Sequence, residues 1–570
     1  MASRVSCLLR KILGLRMMCL SLPNGWGGGV LRKYIVVTGG VLSGLGKGVI
    51  TASIGLLFKL QGYCVTLQKI DPYINLDAGT MNPYEHGEVF VTHDGKETDL
   101  DIGRYERFLN DELSSANYLT TGQVYWNVIR QERAGDFLGK TVQVIPHVTD
   151  EIKRLIKLPL QEDGAEIVVI EVGGTVGDIE SLPFLEALRQ LKEELPREDT
   201  FFVHLTLLPH LSTTDEVKTK PTQHSVKELR AIGIQPDVII ARCNHPLTES
   251  VKRKIALFCE VPQENVIEDP DLASIYEVPV VMNDQGLTQC VAKGLGLSPV
   301  EVEMERWRAQ VVRLTQPSQR VRIGIAGKYV ALKDSYISIS EAFVHAGATL
   351  DVGVDIEWIS TEAVSRDGPE TYLSGLDGLL VPGGFGERGI EGKVEAVEYV
   401  RKKRIPFFGI CLGLQCAVIE FARNVLHLAD ANSSEFDPNT SYPVIDLLEE
   451  QQNVTQKGGT MRLGAYETVL RNGSKSQACY GVERVYERHR HRYEFNPLYR
   501  QRFEDAGMQI AGASPNGQLV EIIELEDHPW FVGVQFHPEF GSRFLNPHPL
   551  FSGFVKACLK RRLSSSSYSS

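Results

Sequence analysis

The stretch KYIVVTGGVLSGLGKGVITASIGLLFKLQG, residues 33–62, decides the fold of the first half of the chain. KYIVVTGG predicts a buried strand that ends in glycines, because a short apolar run bounded by turn residues is typical of a covered sheet. Small and apolar residues then recur at helical spacing, at Val49, Ala52, Ser53, Leu56, Leu57 and Leu60. The stretch therefore predicts a strand, a glycine-rich loop and a helix in succession.

The loop GGVLSGLGKG predicts a cradle for nucleotide phosphates. Its small residues let successive backbone N–H groups converge on an anion, Lys47 adds a positive charge, and the helix N-terminus adds its dipole. The loop departs from the common phosphate-loop pattern, because Val41 stands in place of the first glycine and Gly48 replaces the usual Ser or Thr. A plain strand-to-helix turn with a solvated lysine is the alternative, which the flanking strand and helix disfavour.

Without a hydroxyl after Lys47, a magnesium ion on the nucleotide needs carboxylates from elsewhere in the chain. Glu171 ends the apolar run IVVIEVGG, at the sheet edge where ligands of open α/β sheets gather. Asp101 in ETDLDIG is the second candidate, and a turn residue without metal is an equally good interpretation of its spacing alone.

Further apolar runs of the same kind extend this organisation along the chain. CVTLQKID and EIVVIEVGG predict parallel strands covered on both faces, and VRIGIAGKYV, GLLVPGG and PFFGICLGLQ repeat the pattern after residue 320. We expect two three-layer α/β domains with mostly parallel sheets. The expected ranges are an N-terminal extension without function over residues 1–33, a first domain over 34–298, a linker over 299–320, a second domain over 321–560 and a disordered tail over 561–570.

Composition limits the classes of function. A formal charge of -12 disfavours general binding to nucleic acid or anionic membranes, and no apolar run approaches the length of a membrane span. Ten cysteines without metal-ligand spacing favour a reducing, cytoplasmic location. The basic start of the chain resembles a transit peptide or a signal segment, but we favour an upstream start codon that adds a segment without function.

The segment GICLG, residues 409–413, matches the turn that exposes a nucleophile between a strand and a helix. Cys411 is the implied nucleophile, and the paired glycines disfavour a buried structural cysteine. In FHPEF, His537 would activate the thiol and Glu539 would orient the imidazole, both on one face if the backbone is extended. The combination predicts a Cys-His-Glu triad.

Together these residues resemble the CTP synthase family in its bacterial type, from about Tyr34 to about Leu559. The resemblance rests on GGVLSGLGKG, KIDPYINLDAGTMNPYEHGEVFV, ETDLDIG, GGTVGDIESLPFLEA, EVKTKPTQHSVKELR, IPFFGICLGLQ, GGTMRLG, ERHRHRYE and VQFHPEF. It implies a phosphate-loop amidoligase domain followed by a class I glutamine amidotransferase domain. The implied reaction is the ATP-dependent amination of UTP to CTP with ammonia from glutamine, the last step of de novo CTP synthesis.

The resemblance also assigns residues of the first domain. It implies that ATP meets Gly44, Leu45, Gly46, Lys47, Gly48, Val49, Lys69 and Asp101. It places Mg²⁺ on Asp101 and Glu171. It implies that UTP, and CTP as a feedback inhibitor, meet Ser43, Asp178, Ile179, Glu180, Lys218, Thr219, Lys220, Pro221, Thr222, Gln223 and Lys254.

In the second domain the resemblance makes Cys411, His537 and Glu539 the glutaminase triad. It implies that glutamine meets Gly384, Leu412, Gly413, Leu414, Gln415, Glu435 and Arg492, with Gly384 donating an oxyanion N–H. Arg388 would belong to a lid through which GTP activates. Ile337 stands where bacterial relatives often carry a basic residue, which makes GTP dependence less secure.

The expected partners are small molecules and further copies of the chain as a homotetramer, with neither nucleic acid nor membrane. We interpret ERHRHRYE neither as a nucleic-acid patch nor as a metal site. Another two-domain amidotransferase, such as a cobyric acid synthase-like amidase, is the first alternative, which KTKPTQ and GDIE disfavour. A structural or filament protein descended from the enzyme is the second, and it would predict decay of the triad or of the metal carboxylates.

Overall fold

A computed structural model of the chain describes residues 31–82, 86–162, 164–213, 215–298, 300–328, 330, 332–384, 386, 388–447 and 461–566. The extension expected over residues 1–33 lies outside these ranges except at its end, where Lys33 begins the first strand. The described residues form two compact units, one of residues up to Asp77 with Arg104–Arg308, the other of Ala78–Gly103 with Ala309–Ser570. Each unit is therefore built from two separate stretches of the sequence.

The first unit is built on a seven-stranded sheet in which every pairing is parallel. Its strands are buried along almost their whole length, as expected for a sheet with both faces covered. In spatial order they are Val266–Pro270, Val238–Cys243, Thr200–Leu207, Lys33–Gly39, Ile167–Val172, Val65–Asp71 and Tyr118–Thr120.

Helices connect and cover these strands. The α-helices that lie in this unit or reach it are Lys47–Leu60, Leu100–Leu109, Thr121–Ala134, Thr149–Glu162, Leu182–Glu194, Lys220–Ala231, Glu249–Cys259, Val278–Asp284, Leu287–Gly294 and Glu305–Thr315. Short turns of 3-10 helix occur at Ser115–Asn117, Ile179–Ser181, Arg197–Asp199, Gln263–Asn265 and Ile275–Glu277, and a π turn at Val144–Val148. A small hairpin pairs His210–Leu211 with Glu216–Val217.

The second unit is built on a nine-stranded sheet. In spatial order its strands are Val352–Ser360, Gln319–Gly327, Gly378–Val381, Phe407–Ile410, Phe531–Val534, Val520–Leu525, Met508–Ala513, Arg462–Leu470 and Arg484–His491. The first five pair in parallel and the rest antiparallel. The predicted fold class is confirmed, but the far half of this sheet is antiparallel, because short links such as residues 526–530 permit only that pairing.

Alternate strand residues of the second unit enter separate cores on the two faces of the sheet. Leu379 and Phe407 belong to one core, whereas Leu380 and Phe408 belong to the other. The α-helices of this unit are Ile337–Leu350, Thr361–Asp367, Pro369–Leu373, Ile390–Lys402, Leu412–Asn424, Lys475–Tyr480, Arg500–Asp505 and Pro549–Ser566. Its other elements are a sheet of Ala431–Ser433, Tyr442–Leu447 and Tyr493–Phe495 and 3-10 turns at Lys333–Tyr336, Pro497–Tyr499 and Pro538–Gly541.

The last helix differs from the tail that the sequence suggests. We expected disorder from residue 561, but the helix that begins at Pro549 continues to Ser566. The residues Lys560, Arg561, Arg562 and Leu563 are good helix formers, so the helix propagates past the packed part. No helix in the described part of the chain is both long and apolar enough to cross a membrane.

The segment Ala78–Gly103 joins the second unit through specific contacts, although it lies early in the chain. Its hairpin pairs Phe90–Val91 with Glu97–Thr98. The guanidinium of Arg490 lies 2.8 Å from Glu97 Oε1, and Arg488 donates to the carbonyl oxygen of Val91 at 3.1 Å. These contacts place the segment beside the strand Arg484–His491.

Candidate functional site

The structure places Cys411 on a sharp turn between the strand Phe407–Ile410 and the helix Leu412–Asn424. Its backbone has φ 52° and ψ -104°, a strained conformation for a residue with a side chain. The neighbouring glycines are required sterically, because a Cβ at Gly413 would lie 2.0 Å from the carbonyl oxygen of Val381 and one at Gly409 would lie 2.7 Å from the carbonyl carbon of Gly413. The local sequence thus fixes the turn that presents the thiol.

His537 and Glu539 form a buried pair, with Nδ1 of the imidazole 2.7 Å from Oε1 of the carboxylate. The extended backbone that we expected for them is wrong. Pro538 starts a 3-10 turn, Pro538–Gly541, and this turn brings the two side chains together. The pairing predicted from the motif therefore occurs through a different backbone geometry.

Cys411 and His537 both lie next to Gly383. A Cβ built on Gly383 would lie 3.6 Å from Cβ of Cys411 and 3.0 Å from Cε1 of His537. The side-chain amide of Gln535 also donates to Sγ of Cys411 at 3.7 Å. Nε2 of His537 is buried and makes no hydrogen bond to the described residues, which leaves it available to exchange a proton with a reacting group.

The surroundings favour a charged imidazole at this position. Burial lowers the pKa of His537, but the negative charges of Glu539 and Cys411 outweigh burial and raise the pKa to about 10. An imidazole held next to a cysteine by a carboxylate is the base partner that a cysteine nucleophile needs. The three side chains can therefore support nucleophilic attack on a carbonyl carbon.

A cavity of about 310 Å³ opens onto this triad within the second unit. Gly384 and Arg492 line it as the sequence suggests. Sequence reasoning missed several other lining residues, namely Thr80, Met81, Glu88, Tyr336, Met461 and Arg490. The sequence did contain an indication for Arg490, because this residue lies two positions before Arg492 in ERHRHRYE.

Other residues expected to meet glutamine lie deeper. Leu412, Gly413 and Leu414 are buried in the first turn of the helix after Cys411, and Gln415 donates to the carbonyl oxygen of Tyr493 at 3.0 Å. The side chain of Leu414 belongs to the apolar core, so only its backbone could meet a ligand.

Two predicted residues lie around the glycine-rich loop after Val381. Glu435 accepts a hydrogen bond from the backbone N–H of Gly386 at 3.1 Å, and burial raises its pKa. Arg388 is half exposed, and its Nε lies 3.4 Å from Oε1 of Glu362.

In the first unit, the glycine-rich loop connects the strand Lys33–Gly39 to the helix Lys47–Leu60, as the opening stretch predicts. Val41, Gly44 and Gly46 all have positive φ, and no side chain caps the helix N-terminus at Gly46. Nζ of Lys47 donates to the carbonyl oxygen of Gly174 at 2.7 Å. The N-terminus of this helix, whose first turn includes Gly48 and Val49, carries the positive end of the helix dipole and suits an anion.

A second cavity, of about 540 Å³, adjoins this loop within the first unit. Gly44, Leu45, Gly46 and Val49 line it together with residues that the sequence did not identify, among them Arg242, Asn244, Asp269, Ile275 and Val278. Its size and mixed apolar and polar lining suit a nucleotide base.

Buried charges cluster at the carboxyl ends of neighbouring strands in this unit. Nζ of Lys69 lies 3.2 Å from Oδ1 of Asp71 and 3.8 Å from Oε1 of Glu171, and Tyr105 donates its hydroxyl proton to Glu171. Asp71 is a further carboxylate that sequence reasoning missed, although it ends an apolar strand as Glu171 does. Asp101 is buried near the start of the helix Leu100–Leu109 and belongs to the other unit.

Within the first unit, the carboxylates of Asp71 and Glu171 fit magnesium, which binds nucleotides through one or two carboxylates together with phosphate oxygens and water. Among the residues that the structure describes, no three His, Cys, Asp or Glu side chains are arranged to hold a metal ion by themselves. The carboxylates would therefore hold the ion together with phosphate oxygens.

The residues expected to meet a pyrimidine nucleotide lie in four separate parts of the first unit. Ser43 lies in the glycine-rich loop, and Asp178, Ile179 and Glu180 are exposed, with Oδ2 of Asp178 accepting from the N–H of Thr175 at 2.7 Å. Thr219 precedes the helix that contains Lys220, Pro221, Thr222 and Gln223, and Lys218 pairs with Glu216. Lys254 is exposed on the helix Glu249–Cys259. In the described ranges no hydrogen bond or ion pair joins these four parts.

The chain matches two family models, "CTP synthase N-terminus" over residues 33–297 and "Glutamine amidotransferase class-I" over residues 331–557. It is 56% identical over 530 residues to a CTP synthase of Carboxydothermus hydrogenoformans, covering 93% of this chain and 99% of the relative. It is 56% identical over 533 residues to a CTP synthase of Caldanaerobacter subterraneus, covering 94% of this chain and 99% of the relative.

Among solved structures, the glutaminase domain of Trypanosoma brucei CTPS with bound acivicin aligns at 38% identity and a TM-score of 0.40, covering 42% of this chain and 94% of that domain. The family models together span most of the sequence, and the relatives align over nearly their whole length. The chain therefore belongs to the CTP synthase family.

Proposed function

We propose that this chain forms CTP from UTP, ATP and glutamine, with the nitrogen released in the second unit and UTP activated in the first. The observation that carries the proposal is the buried His537–Glu539 pair beside the strained Cys411 turn, in a chain that also carries a glycine-rich loop before a helix N-terminus. The family relationship supplies the substrates, since the chain is a glutamine-dependent ligase of the CTP synthase family.

In the glutaminase reaction, Sγ of Cys411 attacks the amide carbon of glutamine, and the electron pair of the carbonyl moves onto its oxygen. The N–H of Gly384 would donate to that oxygen. His537 would give its proton to the departing nitrogen, so that ammonia leaves and a thioester remains. Water then hydrolyses the thioester to glutamate, and Glu539 keeps the imidazole oriented throughout.

In the ligase reaction, O4 of UTP attacks the γ-phosphorus of ATP and ADP leaves, so that O4 now carries a phosphate and becomes part of a good leaving group. The N–H groups around Gly46 and the charges of Lys47 and Lys69 would offset the negative charge of the transferring group. Asp101 and Glu171 would hold Mg²⁺, which would supply positive charge beside the phosphate oxygens. Ammonia then attacks C4 of the pyrimidine, and phosphate departs to give CTP.

The pyrimidine site would consist of Ser43, residues 178–180, residues 218–223 and Lys254, where CTP would compete with UTP. Lysines close to small hydroxyls suit a triphosphate. GTP would activate glutamine hydrolysis through the region of Arg388.

We also propose that the chain assembles as a homotetramer and acts in the cytoplasm. The helix Thr121–Ala134 leaves Trp126 and Ile129 about half exposed, and Ile179 is 80% exposed. Large apolar side chains that face solvent in this number favour burial against a second copy of the chain.

The test of the proposed function is CTP formation from UTP, ATP, Mg²⁺ and glutamine, followed by the change in nucleotide absorbance. Ammonium chloride in place of glutamine tests the first unit alone, and added CTP tests feedback inhibition. Glutamine hydrolysis without CTP formation would favour another amidotransferase and contradict the proposal.

A further inference from the structure

A buried lysine lies behind the glycine-rich loop of the candidate glutaminase site. Lys393 is on the helix Ile390–Lys402, and its side chain is completely buried. Nζ donates to the carbonyl oxygen of Pro382 at 3.2 Å. Pro382 directly precedes Gly383 and Gly384, so this hydrogen bond holds the first peptide of the loop that faces the triad.

The ammonium group has few partners for a buried charge. It carries three N–H donors, and within the described part of the chain no carboxylate forms an ion pair with it. A buried cation of this kind is costly unless an anion is present for part of the working cycle. Burial lowers the pKa of Lys393 to about 8, opposed by the thiols of Cys416 and Cys411, and Lys328 adds to the lowering. Lys393 is therefore mostly protonated, and so positively charged, at neutral pH.

The loop separates this lysine from the triad. A Cβ built on Gly384 would lie 4.0 Å from Nζ of Lys393 and 3.7 Å from Cε of Lys328. A Cβ built on Gly383 would meet Cys411 and His537 instead. The two glycines thus have the reacting groups on one side and two lysines on the other.

We propose that Lys393 is a positioning residue for the oxyanion site of the glutaminase reaction. Its hydrogen bond to Pro382 fixes the orientation of the following peptides, whose N–H groups must point at the oxygen that becomes negative when Cys411 attacks. Its charge lies behind those peptides and needs no rearrangement as the oxyanion forms. This inference rests on the proposed role of Cys411 as the nucleophile that attacks glutamine.

The test compares Lys393→Met and Lys393→Gln with the unsubstituted enzyme in full-length form. Methionine has similar length and removes both the donor and the charge, whereas glutamine keeps a donor for the Pro382 carbonyl. For the Met variant we expect the kcat with glutamine to fall about tenfold or more, since correctly aimed oxyanion donors contribute at least this factor. The KM for glutamine and the ammonia-dependent rate should stay within about twofold, because neither depends on the oxyanion. The Gln variant should recover part of the kcat.

Two control variants on the same helix distinguish an effect on the oxyanion site from a general loss of stability. Lys402→Met removes an exposed lysine that pairs with Glu398 and should leave every rate unchanged. Val397→Ala removes buried apolar contacts and should lower the thermal midpoint without lowering the kcat with glutamine. Lys393→Met should not lower the midpoint comparably, because it removes a buried cation.

The proposal would be overturned if the kcat of the Met variant with glutamine stayed within twofold of that of the unsubstituted enzyme. It would also be overturned if the kcat of the Gln variant were no higher than that of the Met variant. Loss of both glutamine and ammonia rates, with a midpoint lowered as in Val397→Ala, would assign Lys393 a structural role and also overturn it. If the Met variant does not fold, the Gln variant decides the question alone. The kcat of the Gln variant with glutamine should then be lower than that of the unsubstituted enzyme. The pH midpoint for alkylation of Cys411 by iodoacetamide should be higher. No change in either quantity would overturn the proposal. An unsubstituted enzyme that does not hydrolyse glutamine would refute the proposed function itself.

Discussion

Nδ1 of His537 lies 2.7 Å from Oε1 of Glu539, and this contact sets the charge of the imidazole beside Cys411. The carboxylate stabilises the imidazolium form and so keeps the pKa of His537 above its ordinary value, at about 10, although burial opposes the shift. The protonation state of the imidazole therefore depends on this hydrogen-bonded pair together with the neighbouring Cys411.

Replacing Glu539 by Gln should lower the pKa of His537, because the amide cannot stabilise the imidazolium. We expect glutamine-dependent CTP formation to fall by about 100-fold or more, and its alkaline limit to move to lower pH. Steady-state rates between pH 6 and pH 10 measure both effects. Glu487→Gln is a matched control, since Glu487 accepts from His548 at 2.9 Å outside the cavity lining. An equal loss of activity in the control would contradict a specific role for Glu539.

Replacing Cys411 by Ala should abolish glutamine hydrolysis and leave ammonia-dependent CTP formation intact. The expected loss with glutamine is about 1,000-fold or more, because the nucleophile is removed. Rates with glutamine and with ammonium chloride are compared on one preparation. Loss of both activities would show that the two reactions do not use separate sites.

Replacing Lys47 by Met should impair CTP formation and leave glutamine hydrolysis intact, which is the reverse of the effect expected for Cys411→Ala. The variant should lose CTP formation with either nitrogen donor by about 100-fold, since a charge that stabilises the transferring phosphoryl group is gone. Glutamine hydrolysis measured as glutamate release should persist. A variant that retains ammonia-dependent CTP formation would remove Lys47 from the phosphate site.

Replacing Gly413 by Ala should destabilise the second unit, because the new Cβ would lie 2.0 Å from the carbonyl oxygen of Val381. We expect a loss of about 3 kcal/mol in the free energy of unfolding, measured by urea denaturation. Gly507→Ala serves as the comparison, since φ there is 99° and nothing lies within 4 Å. Its cost should be about 1 kcal/mol, from backbone strain alone. Equal costs would mean that the loop near Val381 yields to the added methyl group.

Replacing Glu494 by Gln should change how stability depends on pH. Burial and the nearby Glu521 raise the pKa of Glu494 to about 8, while Arg462 opposes the shift. An acid whose pKa is raised on folding binds its proton more tightly when folded, so it makes stability fall as pH rises from about 4.5 to about 8. The variant lacks this titration and should gain stability relative to the unsubstituted chain between pH 5 and pH 9. Urea unfolding at both pH values measures the gain, and a constant difference would contradict the raised pKa.

Much of the candidate site could be predicted because its geometry is local. The turn at Cys411 follows from glycines four positions apart between a strand and a helix, and the phosphate loop follows from glycines before Lys47. His537 and Glu539 could be paired from their spacing, although the sequence suggested an extended backbone and Pro538 starts a turn instead. In each case neighbouring residues carry both the signal and the structure.

The sequence alone determined the two α/β halves, the strand–loop–helix order of each and the residues in these local turns, because short-range periodicity and glycine placement report backbone conformation directly. The tertiary structure alone decided which distant segments meet. It placed Ala78–Gly103 with the second unit, made the far half of the second sheet antiparallel, brought Glu171 beside Lys69, and buried Lys393 behind Gly384. Such contacts depend on how complete elements pack, and a lysine in a helical stretch looks the same in sequence whether it faces water or the interior.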